Sequence, residues 1–534
     1  MNNSTNTQNT NIEQQRVTNQ PQVNTQTVAQ TQQPQTIPTQ QQTAQAVPQQ
    51  EDKVIEVSQK AKDGQYVCPN CGASEIEPNP KTGKLRCVYC ACEFDGKKVE
   101  NTVQDLSQLK GRVRGSGTSN IKADVKDVVT LRCGGCGAEV VIDTANAPHA
   151  RCHWCRSILS INSQIENGSI PDVILPFKEK KEEAQEKINT FVKKRGFFAN
   201  PTFKKEFTTE NIMGVYFPYM LVDANCHANY KGQGEHETRR YTVGSGDNSK
   251  TYYDADLYNV QREFDIYIDD LSVESNSTRL DNTSNTQTNN IINSIMPFDT
   301  ENCIQYQSNY LVGYTSERRD VNIDDIEAHV NNQLRDIAKY SANEESKFYD
   351  RGIRWDFQDL KIIGTQWLAA YLPVWLYSYQ EVKGEKKILH YVAVNARTGE
   401  TMGSVPINFP LLIGISTLVE IVCAILGLLL FFFTSSGSDD DNSAIFLLLF
   451  LGGFVYYGVM YLRYRNSNAR HTYEVETKKQ VLNMVKQDDL VEHKKRLSDS
   501  NMTGRNDNIL EGNSLKKSSA LNSVINAAKD VTGK

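Results

Sequence analysis

Eight of the twelve cysteines fall into two identical frames, and no other feature restricts the chain as strongly. Cys68-Pro-Asn-Cys71 is followed by Cys87-Val-Tyr-Cys90, and Cys133-Gly-Gly-Cys136 by Cys152-His-Trp-Cys155, each with fifteen residues between the pairs. All four positions recur at an offset of 65, as do Cys-Gly-Ala (71–73, 136–138) and Arg-Cys (86–87, 151–152). This is an internal duplication. Two residues between cysteines let one tight turn aim both thiolates at a single ion, and the gap fits a short hairpin returning the second pair. Gly72 and Gly137, directly after their cysteines, let the backbone fold so that amides face the sulfurs. The pattern predicts two closed tetrahedral Cys₄ sites holding two structural Zn²⁺ ions. One uses Cys68, Cys71, Cys87 and Cys90, the other Cys133, Cys136, Cys152 and Cys155. Modules of about 25 residues have almost no core and need the metal to fold.

Other cysteine chemistries fit less well. A redox Cys-x-x-Cys occurs singly at a helix start, not as four matched pairs. The even two-by-two split favours zinc over an iron–sulfur cluster. Cys92, His149 and His153 are near enough in sequence to substitute as ligands, but each set already has four thiolates. Cys226, Cys303 and Cys423 stand alone and read as buried apolar residues.

Around the ribbons the chain divides by composition. Of the first 50 residues, 33 are Gln, Asn or Thr. Such a segment cannot bury enough apolar surface to offset its ordering entropy, so 1–60 is expected to be a disordered arm. Met1 is followed by polar residues, so no secretory leader is expected. Ribbon 1 occupies 61–100 and ribbon 2 occupies 129–165. Between them, 101–128, with Gly111-Arg-Val-Arg-Gly-Ser-Gly117, reads as a flexible linker.

Residues 172–408 form the main soluble body. Ala184, Ile188, Phe191 and Val192 mark one face of a helix expected to stop at Gly196 in a left-handed cap. A strand-like run, Val215 to Leu221, follows. A second copy has Asn322 capping a helix with Ile326, Val330, Leu334 and Ile337, then Ala370 to Leu376. Tyr216, Pro218 and Leu221 align with Tyr371, Pro373 and Leu376 at an offset of 155. Ile295-Met-Pro-Phe298 echoes Ile174-Leu-Pro-Phe177 at an offset of 121, which implies an insertion in the second unit. Residues 391–400 read as a terminal hairpin turning at Thr398-Gly399. The fold class expected is α+β: two tandem ribbons, a duplicated helix-plus-antiparallel-sheet body in two related lobes, and a membrane hairpin. Polar loops near 243–250 and 274–290 are expected to be exposed. The body has no phosphate-binding Gly-rich loop, no His-Glu-x-x-His and no nucleophile elbow, and His227, His236, His329 and His390 are scattered. No enzyme activity is expected.

Residues 410–434 are apolar except for Glu420 and small hydroxyl groups, and 444–462 carry no charge. Each is long enough to span a hydrocarbon layer of about 30 Å. The loop between them, 435–443, is acidic, and Arg463, Arg465 and Arg470 open the tail at 463–534. The positive-inside rule then predicts a two-span protein of the cell membrane, with the loop outside and both termini cytoplasmic. Reduced cytoplasmic thiols suit zinc. Glu420, near the middle of the first span, is expected to contact a partner helix or to stay protonated.

Charge is shared unevenly. Residues 51–165 carry 16 basic and 14 acidic groups, 166–409 carry 27 and 36, and the tail 14 and 9. The positive part flanks the membrane, where anionic lipid is the nearest target. Lys81, Lys84, Arg86, Arg132, Arg151 and Arg156 are the local positives on the ribbons.

Each ribbon resembles a TFIIB-type zinc ribbon. With Leu175-Pro-Phe177, Tyr216-Phe-Pro218, Tyr310-Leu-Val-Gly313 and Tyr371-Leu-Pro373, the chain is similar to an uncharacterised family of TFIIB-type zinc-ribbon membrane proteins of Gram-positive bacteria. Some relatives in that family look linked to envelope-stress systems that recruit cytoplasmic proteins to the membrane. The resemblance implies a membrane-anchored, non-enzymatic adaptor holding cytoplasmic or membrane partner proteins at the inner face. The alternative is a membrane-tethered regulator that binds nucleic acid through the ribbons.

Overall fold

The computed structural model describes residues 52–55, 68–73, 76–79, 82, 84–96, 103–119, 128–144, 150–244, 249–278, 292–383, 386–434, 451–465 and 471–498. The first 50 residues, most of the two polar loops, the acidic 435–443 loop, the first seven residues of the expected second span and the tail beyond 498 lie outside the described residues.

In chain order the main elements are strands β1 (Lys53–Ile55), β2 (Gly111–Gly115), β3 (Val128–Arg132), β4 (Glu139–Asp143) and β5 (Val173–Ile174). Helices α1 (Lys181–Lys193) and α2 (Pro201–Glu206) precede strands β6 (Met213–Val243), β7 (Lys250–Glu274) and β8 (Thr315–Glu317). Helix α3 (Ile323–Glu344) leads to β9 (Ile353–Lys383), β10 (Lys386–Asn395) and β11 (Thr401–Gly403). Helices α4 (Phe409–Thr434), α5 (Gly452–Arg465) and α6 (Tyr473–Glu476) and strand β12 (Lys478–Ser498) follow. Ribbon 1 has its own small sheet of Ile76–Pro78, Leu85–Cys87 and Glu93–Phe94.

The two helices follow their apolar periodicity. Ala184, Ile188, Phe191 and Val192 are the buried residues of α1. On α3, Ile326, Val330, Leu334 and Ile337 are fully buried, each contributing about 1.5–3 kcal/mol. Asn322 precedes α3, and its amide donates to the Asp325 carboxylate at 2.9 Å. The end of α1 differs from expectation. Gly196 is not among the residues at positive φ; its amide bonds to Lys193 O at 3.0 Å in a tight final turn. That turn carries Arg195 toward α5.

The duplicated units share one sheet rather than forming two lobes. β6 and β9, 31 residues each, pair antiparallel, and Tyr216, Phe217 and Pro218 lie opposite Pro373, Leu372 and Tyr371. The repeated motif thus pairs with its own copy about a local two-fold. β5 runs parallel to β9 at Ala370–Tyr371, and β8 runs parallel to β6 at Val215–Tyr216. β8, not Ile295–Phe298, is therefore the counterpart of β5, and it leads into α3 without an insertion.

The two-fold also explains two prolines inside a sheet, where a missing donor normally costs a ladder bond. Pro218 falls between the end of β8 pairing at Tyr216 and the start of β7 pairing at Tyr219. Pro373 falls between β5 pairing at Tyr371 and β10 pairing at Val374. Each stands where the neighbouring strand changes.

Three segments read as flexible or solvated contribute strands to this sheet. β2, inside the expected linker, runs parallel to β9 at Gly364–Trp367 and to β1, which itself lies in the expected disordered arm. Arg112 holds Asp52 through two bonds of 2.8 Å. The glycines serve close packing: a Cβ on Gly115 would stand 2.2 Å from the Asp172 carboxylate, and one on Gly117 would stand 2.4 Å from Ile170 O. β12, in the expected tail, pairs antiparallel with β7 across Tyr252–Asp269. Buried Arg262 anchors it through Asp488 at 2.6 Å, and Tyr473 donates to Asp336 at 2.8 Å.

Among the described residues, one helix is long and apolar enough to cross a membrane: Phe409–Leu429 of α4, with mean hydropathy 2.4 and only 17% of that stretch buried. Leu418, Ile421, Val422 and Ile425 are about half exposed. α5 covers residues 452–462 of the expected second span and runs on to Arg465, three residues beyond its expected end. Val405 N bonds to Tyr464 O at 2.9 Å, so α5 ends beside the segment from which α4 starts. The expected terminal hairpin is present, with Gly399 at φ 77° between β10 and β11.

Candidate metal centres

Each quartet is made of two backbone turns of one design. The first cysteine's amide bonds to the carbonyl five residues on: Cys68 to Ala73 at 2.8 Å, Cys87 to Cys92 at 3.0 Å, Cys133 to Ala138 at 2.8 Å and Cys152 to Ser157 at 2.9 Å. The residue after the second cysteine closes the turn in the left-handed region: Gly72 (φ 72°), Ala91 (56°), Gly137 (81°) and Arg156 (61°). Sequence reading found the two glycines and missed Ala91 and Arg156, which take the same conformation at about 1–2 kcal/mol each. Their matched position after Cys-x-x-Cys was the available signal.

The turns bring the sulfurs together. Cys68 to Cys90 and Cys71 to Cys87 are 3.5 Å apart; Cys133 to Cys155 is 3.4 Å and Cys136 to Cys152 is 3.5 Å. In each set all four ligand atoms lie within 4.8 Å of one another. Zinc–sulfur bonds of about 2.3 Å in a tetrahedron require sulfur separations of about 3.8 Å, so each set fits one ion of its own. The Asn70 and Gly135 amides donate to Cys68 and Cys133 Sγ at 3.4 Å. The Cys92 amide and the Asn70 side chain hold the Cys90 thiol down at about 6. Cys136 is lowered to about 5 by the neighbouring Cys152 thiol, with help from the Ala138 amide.

The two ribbons use equivalent turns differently. In ribbon 2 the Cys152–Cys155 turn is buried in the body: Trp154 Nε1 donates to Glu317 Oε1 at 2.6 Å, and its ring packs edge-on against Tyr391 at 5.1 Å. His153 lies 3.4 Å from Glu317 and 3.2 Å from Thr315 Oγ1, so its ring serves docking and not the metal. The Arg156 side chain bonds to Ser378 O and lies over the Tyr377 ring. β3 and β4 extend the large sheet through β8. In ribbon 1 the same two turn positions, Val88 and Tyr89, are 51% and 69% exposed. Its opposite side packs Ile76, Leu85 and Cys87 into the cluster that holds Ile304 and Tyr310. His149 lies outside the described residues. Cys92 stands at the position equivalent to Ser157, whose Oγ is 3.2 Å from Cys155 Sγ.

Glu420 is separate from both quartets. Its Oε2 accepts the amide of Gly453 on α5 at 2.7 Å. A Cβ on Gly453 would stand 2.5 Å from Ser416 O, so α4 and α5 touch backbone to backbone there. Asp223, Asp269 and Asp270 also cluster, but Asp223 already accepts the Asp270 amide at 2.9 Å and Gln366 Nε2 at 2.8 Å.

Fold and site together define a sheet-rich α+β protein with two tetrathiolate clusters placed to hold metal ions and an apolar helix of membrane-spanning length. The chain is similar to the uncharacterized protein YdjG of Bacillus subtilis (strain 168), 23% identical over 348 residues, which is 64% of this chain and 90% of that protein. No family model and no solved structure matches it.

Proposed function

We propose that the protein is a non-enzymatic adaptor of the TFIIB-type zinc-ribbon kind, anchored in the cell membrane by a two-span hairpin and holding partner proteins at the cytoplasmic face. Zinc fills both quartets. Ribbon 2 is a structural part of the body, and ribbon 1 is the presenting module. The observation that carries this reading is the contrast between equivalent turns: His153 and Trp154 are buried against the body, whereas Val88 and Tyr89 face outward. Tyrosine is among the side chains that most often anchor protein recognition, and Tyr89 stands exposed on this turn. The antiparallel return of α5 to the start of α4, and the pairing of β12 with β7, support two spans with body and tail on one side.

The rival nucleic-acid reading has little charge to use. Lys84 pairs with Asp95, Arg132 with Glu139, and Arg156 is spent on Tyr377 and Ser378. Arg86 and Arg151 are exposed, and Lys81 lies outside the described residues. Phosphate binding needs clustered cations. Affinity purification from membranes, comparing the wild type with a Val88→Asp/Tyr89→Asp variant, tests the adaptor reading. Protein partners should be recovered with the wild type and lost with the variant at equal membrane levels. Recovery of nucleic acid, with sub-micromolar binding abolished by neutralising Arg86 and Arg151, would establish the rival.

A further inference from the structure

The segment joining α1 to α2 is fastened to both apolar helices where they leave the body. Arg195 Nε donates to Arg463 O at 2.8 Å, and the Phe198 amide donates to the Tyr464 hydroxyl at 2.9 Å. Asn408 N bonds to Phe198 O, and Asn200 N to Pro406 O, both at 2.8 Å. The Phe198 ring lies 5.9 Å from Tyr464 and 6.4 Å from Tyr456. Those tyrosines are about 12 Å apart along a helix rising 1.5 Å per residue. Phe198 therefore sits beside the last turns of α5, inward of Arg463 on the apolar side.

Phe197, edge-on to Phe198 at 4.7 Å, points away from the protein and is 65% exposed. Lys193 and Lys194 at the end of α1 and Lys204 and Lys205 at the end of α2 flank it, all exposed. An outward aromatic ring bracketed by lysines, level with the end of an apolar helix, suits the boundary between lipid headgroups and acyl chains. Anionic headgroups complement the lysines, which cluster at the surface where such lipids concentrate countercharge.

We propose that this loop is an interfacial wedge: Phe197 enters the headgroup–acyl boundary while Lys193, Lys194, Lys204 and Lys205 bind the phosphates of anionic phospholipid. The inference rests on reading α4 and α5 as membrane-spanning. The wedge adds a third attachment beside the two helices and fixes the tilt of the body on the bilayer.

The test uses the full chain in nanodiscs of phosphatidylcholine, with or without a quarter of phosphatidylglycerol. The photoreactive residue benzoylphenylalanine replaces Phe197, Leu426 within α4, or Phe357 on β9, one at a time, and lipid adducts are read by mass spectrometry. Adducts are expected at 197 and 426 and not at 357. At 197, phosphatidylglycerol should exceed its bulk share by about twofold, falling back to that share when the four lysines become glutamine. Adducts at 426 but not 197, or adducts at 197 without this preference, overturn the wedge and leave the membrane reading standing. No adducts at either position overturns both.

Discussion

Trp154 donates its indole N–H to Glu317 at 2.6 Å, joining the second turn of the Cys133–Cys155 quartet to the strand that pairs with Val215 and Tyr216. Both residues are buried. Through this bond a module too small to have its own core becomes part of the core of the body, while its duplicate keeps the same turn on the surface.

Removing that acceptor should be costly. Glu317→Ala leaves the buried indole N–H and the His153 ring without their shared partner, a loss of about 1–3 kcal/mol. The melting temperature of the metal-loaded chain should fall clearly for Glu317→Ala and less for Glu317→Gln, which retains an acceptor. Equal melting temperatures for Ala and wild type would show that the contact does not hold the ribbon.

The quartets were legible because their spacing is local: two residues set each turn and fifteen return the chain. α1 and α3 were legible because each buries a single periodic face. The sheet was less so. Gly115 and Gly117 look like linker glycines until Asp172, far away in sequence, is seen packed against them, its carboxyl pushed up to about 6 by burial. β12 has a lysine-rich, mostly polar sequence and reads as solvated tail; its pairing depends on Arg262 and Asp488, 226 residues apart. Long-range partners, not local propensity, decided both.

The proposed two-span topology makes a prediction about the tail. Since β12 pairs with β7, position 489 must share a side with the body. In intact cells a membrane-impermeant thiol reagent should label Ser438→Cys and leave Asp489→Cys unlabelled. Labelling at 489 from outside would contradict the arrangement.

Glu420 should act through the Gly453 amide. Glu420→Gln keeps an acceptor and should preserve the helix pair. Glu420→Leu loses it, at a cost of about 1–2 kcal/mol. Gly453→Ala should damage the same contact by forcing α4 and α5 apart. Protease resistance and oligomeric state in detergent, unchanged across all three variants, would refute the role.

Asp270 sits at φ 54°, and burial, with Asp269 and Glu301 nearby, raises its carboxyl to about 6 despite Lys478 and a Thr300 hydrogen bond. The folded state therefore favours the protonated acid: this contribution is complete below the unfolded value near 3.8 and is lost as pH rises through about 6. Asn tolerates the left-handed region and carries no charge. Asp270→Asn should be more stable than wild type at pH 8, by on the order of 1–3 kcal/mol, with the advantage shrinking toward pH 5. A constant difference across this range would rule out the charge argument.

Metal content combined with partner recovery tests the central claim most directly, because each quartet is assigned its own ion and its own task. Purified under reducing conditions, the full chain should carry two zinc ions. Cys71→Ser should retain one zinc, stay in the membrane at near wild-type level and lose its protein partners. Cys136→Ser should retain one zinc but destabilise the whole body. One equivalent or less in the wild type, iron in place of zinc, or full partner recovery by Cys71→Ser would contradict the account.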